Sequence, residues 1–203
     1  ASSMQLPGIT QLEGAASGHI ILTGTLAKPE ARAELTLKNL SLRYPRGLRP
    51  PAFNIDAKAS LNSEKLEAEF ALDSVTGKTF QLKMDMPVSL SLSPFLFRIP
   101  EEERLNGRIS GDIDISDLAL LAGLYDQNFK GKMAIGFDIQ GTIKSPEIKG
   151  KATFEEGSYT NSGIGIFIKD ISADISAESY RFVLNNISGA DGLGGKISGK
   201  GWF

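Results

Sequence analysis

The chain has 203 residues, enough for one large domain or two small ones, and its 22 Lys and Arg against 24 Asp and Glu leave a formal net charge of −2, which argues against a nucleic-acid binder with a basic face. With 41% hydrophobic and 23% charged residues the composition is that of an ordinary globular chain and argues against global disorder. There is no cysteine and a single histidine, His19, which removes disulfide frameworks and thiolate nucleophiles and nearly removes Ser-His-Asp triads. No run approaches the ~18 apolar residues of a membrane-spanning helix. The opening Ala1-Ser2-Ser3-Met4 has no basic, apolar leader, so the sequence reads as a mature protein or as a piece cut from something longer.

In chain order the first distinctive phrase is Gly24-Thr25-Leu26-Ala27-Lys28-Pro29-Glu30, which returns later in the chain. Tyr44 to Pro51 carries three prolines that cannot donate to a ladder, and is expected as a surface loop or sheet-edge break that could mark a sub-boundary within one domain of residues 1–203. From there apolar and polar residues alternate. Ile55, Ala57, Ala59 and Leu61 form one run, and Leu66, Ala68, Phe70 and Leu72 the next. Phe80, Leu82, Met84, Met86, Val88, Leu90 and Leu92 then hold one face over thirteen residues. Ile109, Ile113 and Ile115 follow, then Met133, Ile135, Phe137 and Ile139. Ile164, Ile166 and Ile168 form a further run, separate from Ile171, Ala173, Ile175 and Ala177, and Phe182 with Leu184 closes the series. Period two puts alternate side chains on opposite faces, so each run predicts a strand with one apolar and one wet face, about ten strands in all. The fold class is all-β, antiparallel, with short turns.

One segment breaks the pattern. Over Ser116–Gln127 the residues Leu118, Leu121 and Tyr125 share a helical stripe, with Ser116 as cap and Asp117 in the first turn, so one short helix of two to three turns is expected. Self-similarity is also present. The Gly24 phrase recurs as Gly141-Thr142-Ile143-Lys144-Ser145-Pro146-Glu147, and a Gly placed before an apolar residue recurs around Gly107, Gly131 and Gly195. Such repeats suggest a sheet extended by similar hairpins.

An apolar sheet face must be covered. A sandwich or barrel covers it with another part of itself, whereas a single curled sheet leaves a trough that can take an apolar guest. The apolar set is dominated by Ile, Leu, Met, Phe and Ala, with few aromatics and a single Trp, Trp202, which leans toward a smooth aliphatic channel; alternation alone leaves both arrangements open. Among polar residues, Asp112, Asp114 and Asp117 or Glu101, Glu102 and Glu103 could be imagined as acid–base pairs or cation ligands, but solvated strand and loop carboxylates are the ordinary explanation. Asp191-Gly192-Leu193-Gly194-Gly195 falls short of the ligand count of a calcium loop, and His19 reads as a surface or turn residue.

Residues 105–203 resemble the C-terminal region of the TamB family, inner-membrane components of the translocation and assembly module related to AsmA-like proteins. The phrases that carry the resemblance are Leu105-Asn106-Gly107 leading into Asp112-Ile113-Asp114-Ile115, the Asp117–Tyr125 helix, Gly141-Thr142-Ile143 with Pro146 and Gly150 running into Phe154, Gly157 and Tyr159, and Asp191-Gly192-Leu193-Gly194-Gly195 before a closing strand. The resemblance implies an elongated curled antiparallel sheet, a β-taco, with an apolar interior groove. It implies a periplasmic location within a protein anchored in the inner membrane of a Gram-negative bacterium, phospholipid acyl chains as cargo, and an outer-membrane Omp85-type partner resembling TamA. The implied function is non-catalytic, supporting outer-membrane lipid transport and outer-membrane protein assembly, with no cofactor, metal or catalytic residue. The expected groove residues are Ile109, Ile113, Ile115, Met133, Ile135, Phe137, Ile139, Ile164, Ile166, Ile168, Ile171, Ile175, Phe182 and Leu184. The alternative is a β domain that scaffolds outer-membrane protein clients by pairing at a sheet edge.

Overall fold

The computed structural model describes residues 11–44, 49, 51–74, 79–121, 128–161 and 163–203, excepting the side chains at 118, 120 and 121. Alternation becomes strand where the sequence predicts it. The strands are β1 (Gln11–Gly24), β2 (Pro29–Arg43), β3 (Phe53–Leu61), β4 (Lys65–Ser74), β5 (Thr79–Pro87), β6 (Ser89–Leu92), β7 (Phe95–Arg98) and β8 (Asn106–Asp114). After α1 (Ile115–Leu121), the single helix among the described residues, come β9 (Asn128–Gly141), β10 (Pro146–Asn161), β11 (Ile166–Ser179), β12 (Arg181–Ala190) and β13 (Lys196–Trp202). Eleven of them form one antiparallel sheet in the order β1-β2-β3-β4-β5-β8-β9-β10-β11-β12-β13, while β6 and β7 make a separate hairpin. The sheet is curled but not closed: β1 and β13 remain edges.

The sheet is a meander, so every turn lies at one of two ends. The turns of β1–β2, β3–β4, β9–β10 and β11–β12 share one end with the long β5–β8 connection that contains β6 and β7. The repeated Gly-Thr phrase makes the same turn twice. Gly24 pairs with Pro29 and Gly141 with Pro146. The Thr25 amide donates to the Lys28 carbonyl at 3.0 Å and the Thr142 amide to the Ser145 carbonyl at 3.2 Å. In return the amides of Lys28 and Ser145 each donate to the Thr hydroxyl at 3.1 Å. Gly24 and Gly141 have φ of 83° and 93°, and a Cβ at either would collide with the carbonyl its turn closes on, so only glycine fits there. The other repeated glycines have no common role: Gly131 lies under the Phe154 ring, Gly107 sits near the start of β8, and Gly195 packs against the Asp191 carboxylate.

Several expectations are corrected. The thirteen-residue face from Phe80 to Leu92 is two elements, because the chain leaves the sheet at Pro87 and turns into the β6–β7 hairpin. Conversely, the two runs Ile166–Ile168 and Ile171–Ala177 are one strand, β11, in which Asp170 is an extra residue that shifts the alternation by one. Asn39 in β2 and Glu156 in β10 do the same. These three residues take left-handed φ, between 52° and 54°. Ile115 is the first residue of α1 rather than a strand residue. The helix is capped by Asp114, whose Oδ1 accepts the Ser116 amide at 3.0 Å, and not by Ser116 itself. Of the expected helix, residues 122–127 lie outside the described residues, as do 45–48 and 50 of the proline-rich loop; β2 and β3 pair on either side of that loop.

The packed interior is small. Leu42, Tyr44 and Phe53 form its buried centre, with Leu40, Ile55 and Leu72 against them. The chain exposes 13390 Å², where a compact monomer of 21.8 kDa exposes about 9300 Å². A single layer of sheet, with α1 resting on β8 and β9, accounts for that excess.

Candidate apolar binding face

Residues directly opposite in an antiparallel pair share a face, so the register traces each side of the sheet from edge to edge. One row runs Gly18, Leu35, Ala57, Phe70, Leu82, Ile109, Phe137, Gly150, Ala177, Phe182. It ends at Phe203, which exchanges backbone hydrogen bonds with Phe182 at 3.0 Å. A second row runs Ala16, Leu37, Ile55, Leu72, Phe80, Gly111, Ile135, Ala152, Ile175, Leu184, Gly201. Neither contains a charged or polar side chain. One side of all eleven strands is therefore apolar.

The opposite side is charged. Lys83 pairs with Glu69 at 3.1 Å and Arg108 with Asp138 at 3.0 Å, and every one of these side chains is more than half exposed. His19 belongs to this side, mid-strand in β1 rather than in a turn, 4.0 Å from Glu34. Asp112 lies exposed on it as well. Glu102 pairs with Lys144 at 2.8 Å. Asp191 Oδ1 accepts the amides of Leu193 and Gly195, both at 2.8 Å, which closes the β12–β13 turn and holds its carboxyl below the usual carboxylate range, Leu193 being the larger cause. Among the described residues no group of three His, Asp or Glu is placed to hold a metal ion.

Twisted sheets are saddle-shaped, and each side here has a hollow. On the apolar side a concavity of about 780 Å³ is lined by Gly18, Ile20, Ala33, Leu35, Ala57, Ala59, Ala68, Phe70 and Leu82, with His19, Glu34, Lys58 and Glu69 at its border. On the charged side a hollow of about 640 Å³ runs from Arg32 and Glu34 to Arg108 and Asp138. Its alternating charges, of both signs, favour no ligand of one sign.

In the C-terminal half the curl is visible in the side chains. Phe137 on β9 and Phe182 on β12 are three strands apart, about 14 Å in a flat sheet, yet their ring centroids are 5.9 Å apart, edge to face. The residues between them in the row are Gly150 and Ala177, small enough for the rings to meet above them, and Ala177 is buried. Phe203 stacks on Phe182 at 5.4 Å. Nearer the other end, the Phe154 ring lies over Gly131 and Gly157, where any side chain would collide with it.

Of the expected groove residues, Ile109, Ile113, Met133, Ile135, Phe137, Ile139, Ile175, Phe182 and Leu184 share the apolar side by register. Ile166, Ile168 and Ile171 join them because the Asp170 bulge restores the phase; Gly189 lies against both Ile168 and Ile171. Two do not belong. Ile115 is in the helix, and Ile164 sits in the β10–β11 turn, 67% exposed. The expectation also stopped too early. The rows continue through Leu82, Phe70 and Leu35 to β1, and the same alternation in residues 55–86 signals it. Neither a family model, nor a curated protein, nor a solved structure matches the chain.

Proposed function

We propose that this chain is a non-catalytic carrier whose apolar side receives acyl chains of phospholipid. The observation behind this is the uncharged row from Ala16 to Gly201, which crosses eleven strands without a polar side chain and has no second sheet upon it among the described residues. Ten intervals of roughly 4.8 Å make that row about 48 Å long. Each methylene removed from water contributes about 0.8 kcal/mol, so ten of them give ~8 kcal/mol before the cost of immobilising the chain. A row of similar apolar side chains holds such a guest at many positions equally, which suits passage more than storage. The TamB resemblance of residues 105–203 extends the reading to phospholipid movement across the periplasm, to an Omp85-type partner, and to support of outer-membrane protein assembly.

The test is lipid extraction and mass spectrometry on protein purified without detergent from a Gram-negative host. Roughly stoichiometric phospholipid is expected, and Ile135→Glu, which puts a carboxylate in the second row, should abolish it while Lys151→Glu on the charged side leaves it unchanged. A folded Ile135→Glu protein with its full lipid content would overturn the assignment of that face.

A second reading has its own observation. Among the described residues β1 is an edge strand of fourteen residues, every one exposed, with Ile20 and Leu22 on one side and Ile21 on the other. Such an edge is a template for a client strand. Ile21→Lys, on the charged side opposite Arg32, should block edge pairing and spare lipid content.

A further inference from the structure

The β5–β8 connection is not a slack loop. Val88 is 2% exposed, and its amide donates to the Glu64 carbonyl at 2.9 Å; the Leu90 amide donates to the Ser63 carbonyl at 3.0 Å. The Ser93 amide reaches the Leu26 carbonyl in the β1–β2 turn at 3.2 Å. Farther on, the Glu101 carbonyl accepts the Lys144 amide at 3.3 Å, and the Leu105 amide donates to the Gly141 carbonyl at 2.9 Å, both in the β9–β10 turn. The segment is thus fastened across three hairpin turns at one end of the sheet, and the β6–β7 hairpin is its projecting part.

That projection is apolar at its tip. Phe95 is 77% exposed, and Leu92 and Phe97 lie about half exposed on the same side of the ribbon. Leu96, on the other side, is 48% exposed, and Leu26 in the turn touching the tip is exposed too. Two cations here, Arg98 at the hairpin base and Lys28 in the neighbouring turn, are exposed and make no ion pair among the described residues, whereas Lys144 at the same end is paired with Glu102. The same end of the sheet carries exposed Tyr180, Trp202 and Phe203, with Arg181 5.3 Å over the Trp202 ring.

We propose that this end of the sheet docks on a lipid bilayer, with the Leu92–Phe97 tip inserted among the acyl chains. A groove on a protein would cover one side of a two-stranded ribbon, whereas an apolar liquid covers both, and here both sides present exposed apolar groups. Three residues from tip to base give about 10 Å, the depth at which interfacial segments sit. That places Arg98 at the level of the phosphates, with Phe and Leu inside and with Tyr180 and Trp202 at the same end of the sheet, the residue types of an interfacial segment. The proposal builds on the acyl-chain reading, since a carrier of acyl chains must meet a membrane, but the two can fail separately.

The experiment is co-sedimentation of the whole chain with phosphatidylcholine vesicles, with and without phosphatidylglycerol, read together with the emission of Trp202, the chain's only tryptophan. The expected result is binding to both, tighter with phosphatidylglycerol, and a blue shift of Trp202. Phe95→Ser/Phe97→Ser should weaken binding by about tenfold or more while leaving the circular dichroism, the thermal midpoint and the lipid extracted from the protein unchanged. Lys28→Gln/Arg98→Gln should remove only the preference for phosphatidylglycerol. A wild-type protein that ignores vesicles overturns the proposal and leaves the hairpin as a protein-docking element. A Phe95→Ser/Phe97→Ser protein that binds vesicles as well as wild type overturns it equally. Vesicle binding without any extracted lipid would instead sink the acyl-chain reading alone.

Discussion

Gly150 shows how one missing side chain shapes the whole. Its φ is 148°, and a Cβ there would collide with the Gly136 carbonyl oxygen and lie 2.7 Å from Phe137 Cα. It also lies in the row beneath the Phe137–Phe182 contact. Gly150→Ala should therefore cost both backbone strain and overpacking, ~2–4 kcal/mol together, seen as a lowered denaturant midpoint. Gly201, in the neighbouring row, has no atom near its Cβ direction, and Gly201→Ala should be close to neutral. Asp191 makes a different residue-scale prediction. Its carboxyl is depressed by the Leu193 and Gly195 amides, so what it adds to the turn is present above the ordinary carboxylate pKa and is lost as pH falls through the lower folded value. Protection of the amides at Leu193, Gly195 and β13, taken relative to the intrinsic exchange rate at each pH, should accordingly fall below about pH 4, and Asp191→Ala should show that lower protection already at neutral pH.

At the scale of elements, the bulges are the informative devices. Each of Asn39, Glu156 and Asp170 adds one residue in a left-handed conformation, and each lies where the apolar alternation changes phase. The change is legible in the sequence: Ile168 and Ile171 are three apart, where a continuous strand would place them two or four apart. Period-two reading takes such a step as the gap between two strands, because nothing local distinguishes a bulge from a turn when the extra residue is Asp or Asn. The pairing partners on β10 and β12 decide it, and they are distant in sequence. Asp170→Gly should leave stability unchanged or raise it by up to ~1 kcal/mol, whereas Asp170→Val, β-branched at φ 54°, should cost ~1–2 kcal/mol in thermal unfolding. The Gly-Thr repeat is readable for the opposite reason, since the hydrogen bonds that form its turn close within six residues. The β6–β7 hairpin is hidden because Val88, Leu90 and Leu92 continue the β5 alternation; only Pro87 hints that the strand ends.

For the whole molecule, the decisive quantity is apolar surface that folding leaves uncovered. Strand positions and the apolar side follow from local alternation, so both are legible in the amino-acid sequence. Whether eleven strands close, stack or stay open depends on how curl accumulates over glycines and bulges, and no window of ten residues contains that sum. The outcome is a sheet with a small packed interior at Leu42, Tyr44 and Phe53 and a long apolar side supported on one face only. Such a protein should be stabilised by whatever covers that side. A ligand that binds the native state alone adds RT ln(1 + [L]/Kd), about 2.7 kcal/mol at a hundredfold excess over Kd. For a chain of this length that corresponds to a rise of roughly 5–10 °C in melting temperature. Delipidated protein titrated with a long-chain fatty acid should show this rise in calorimetry. Ile135→Glu should melt lower than wild type without the acid and should gain little from it, because the guest would have to bury the new carboxylate. If neither protein responds, the apolar side is covered by protein instead, and the exposed β1 edge is where to look for that protein.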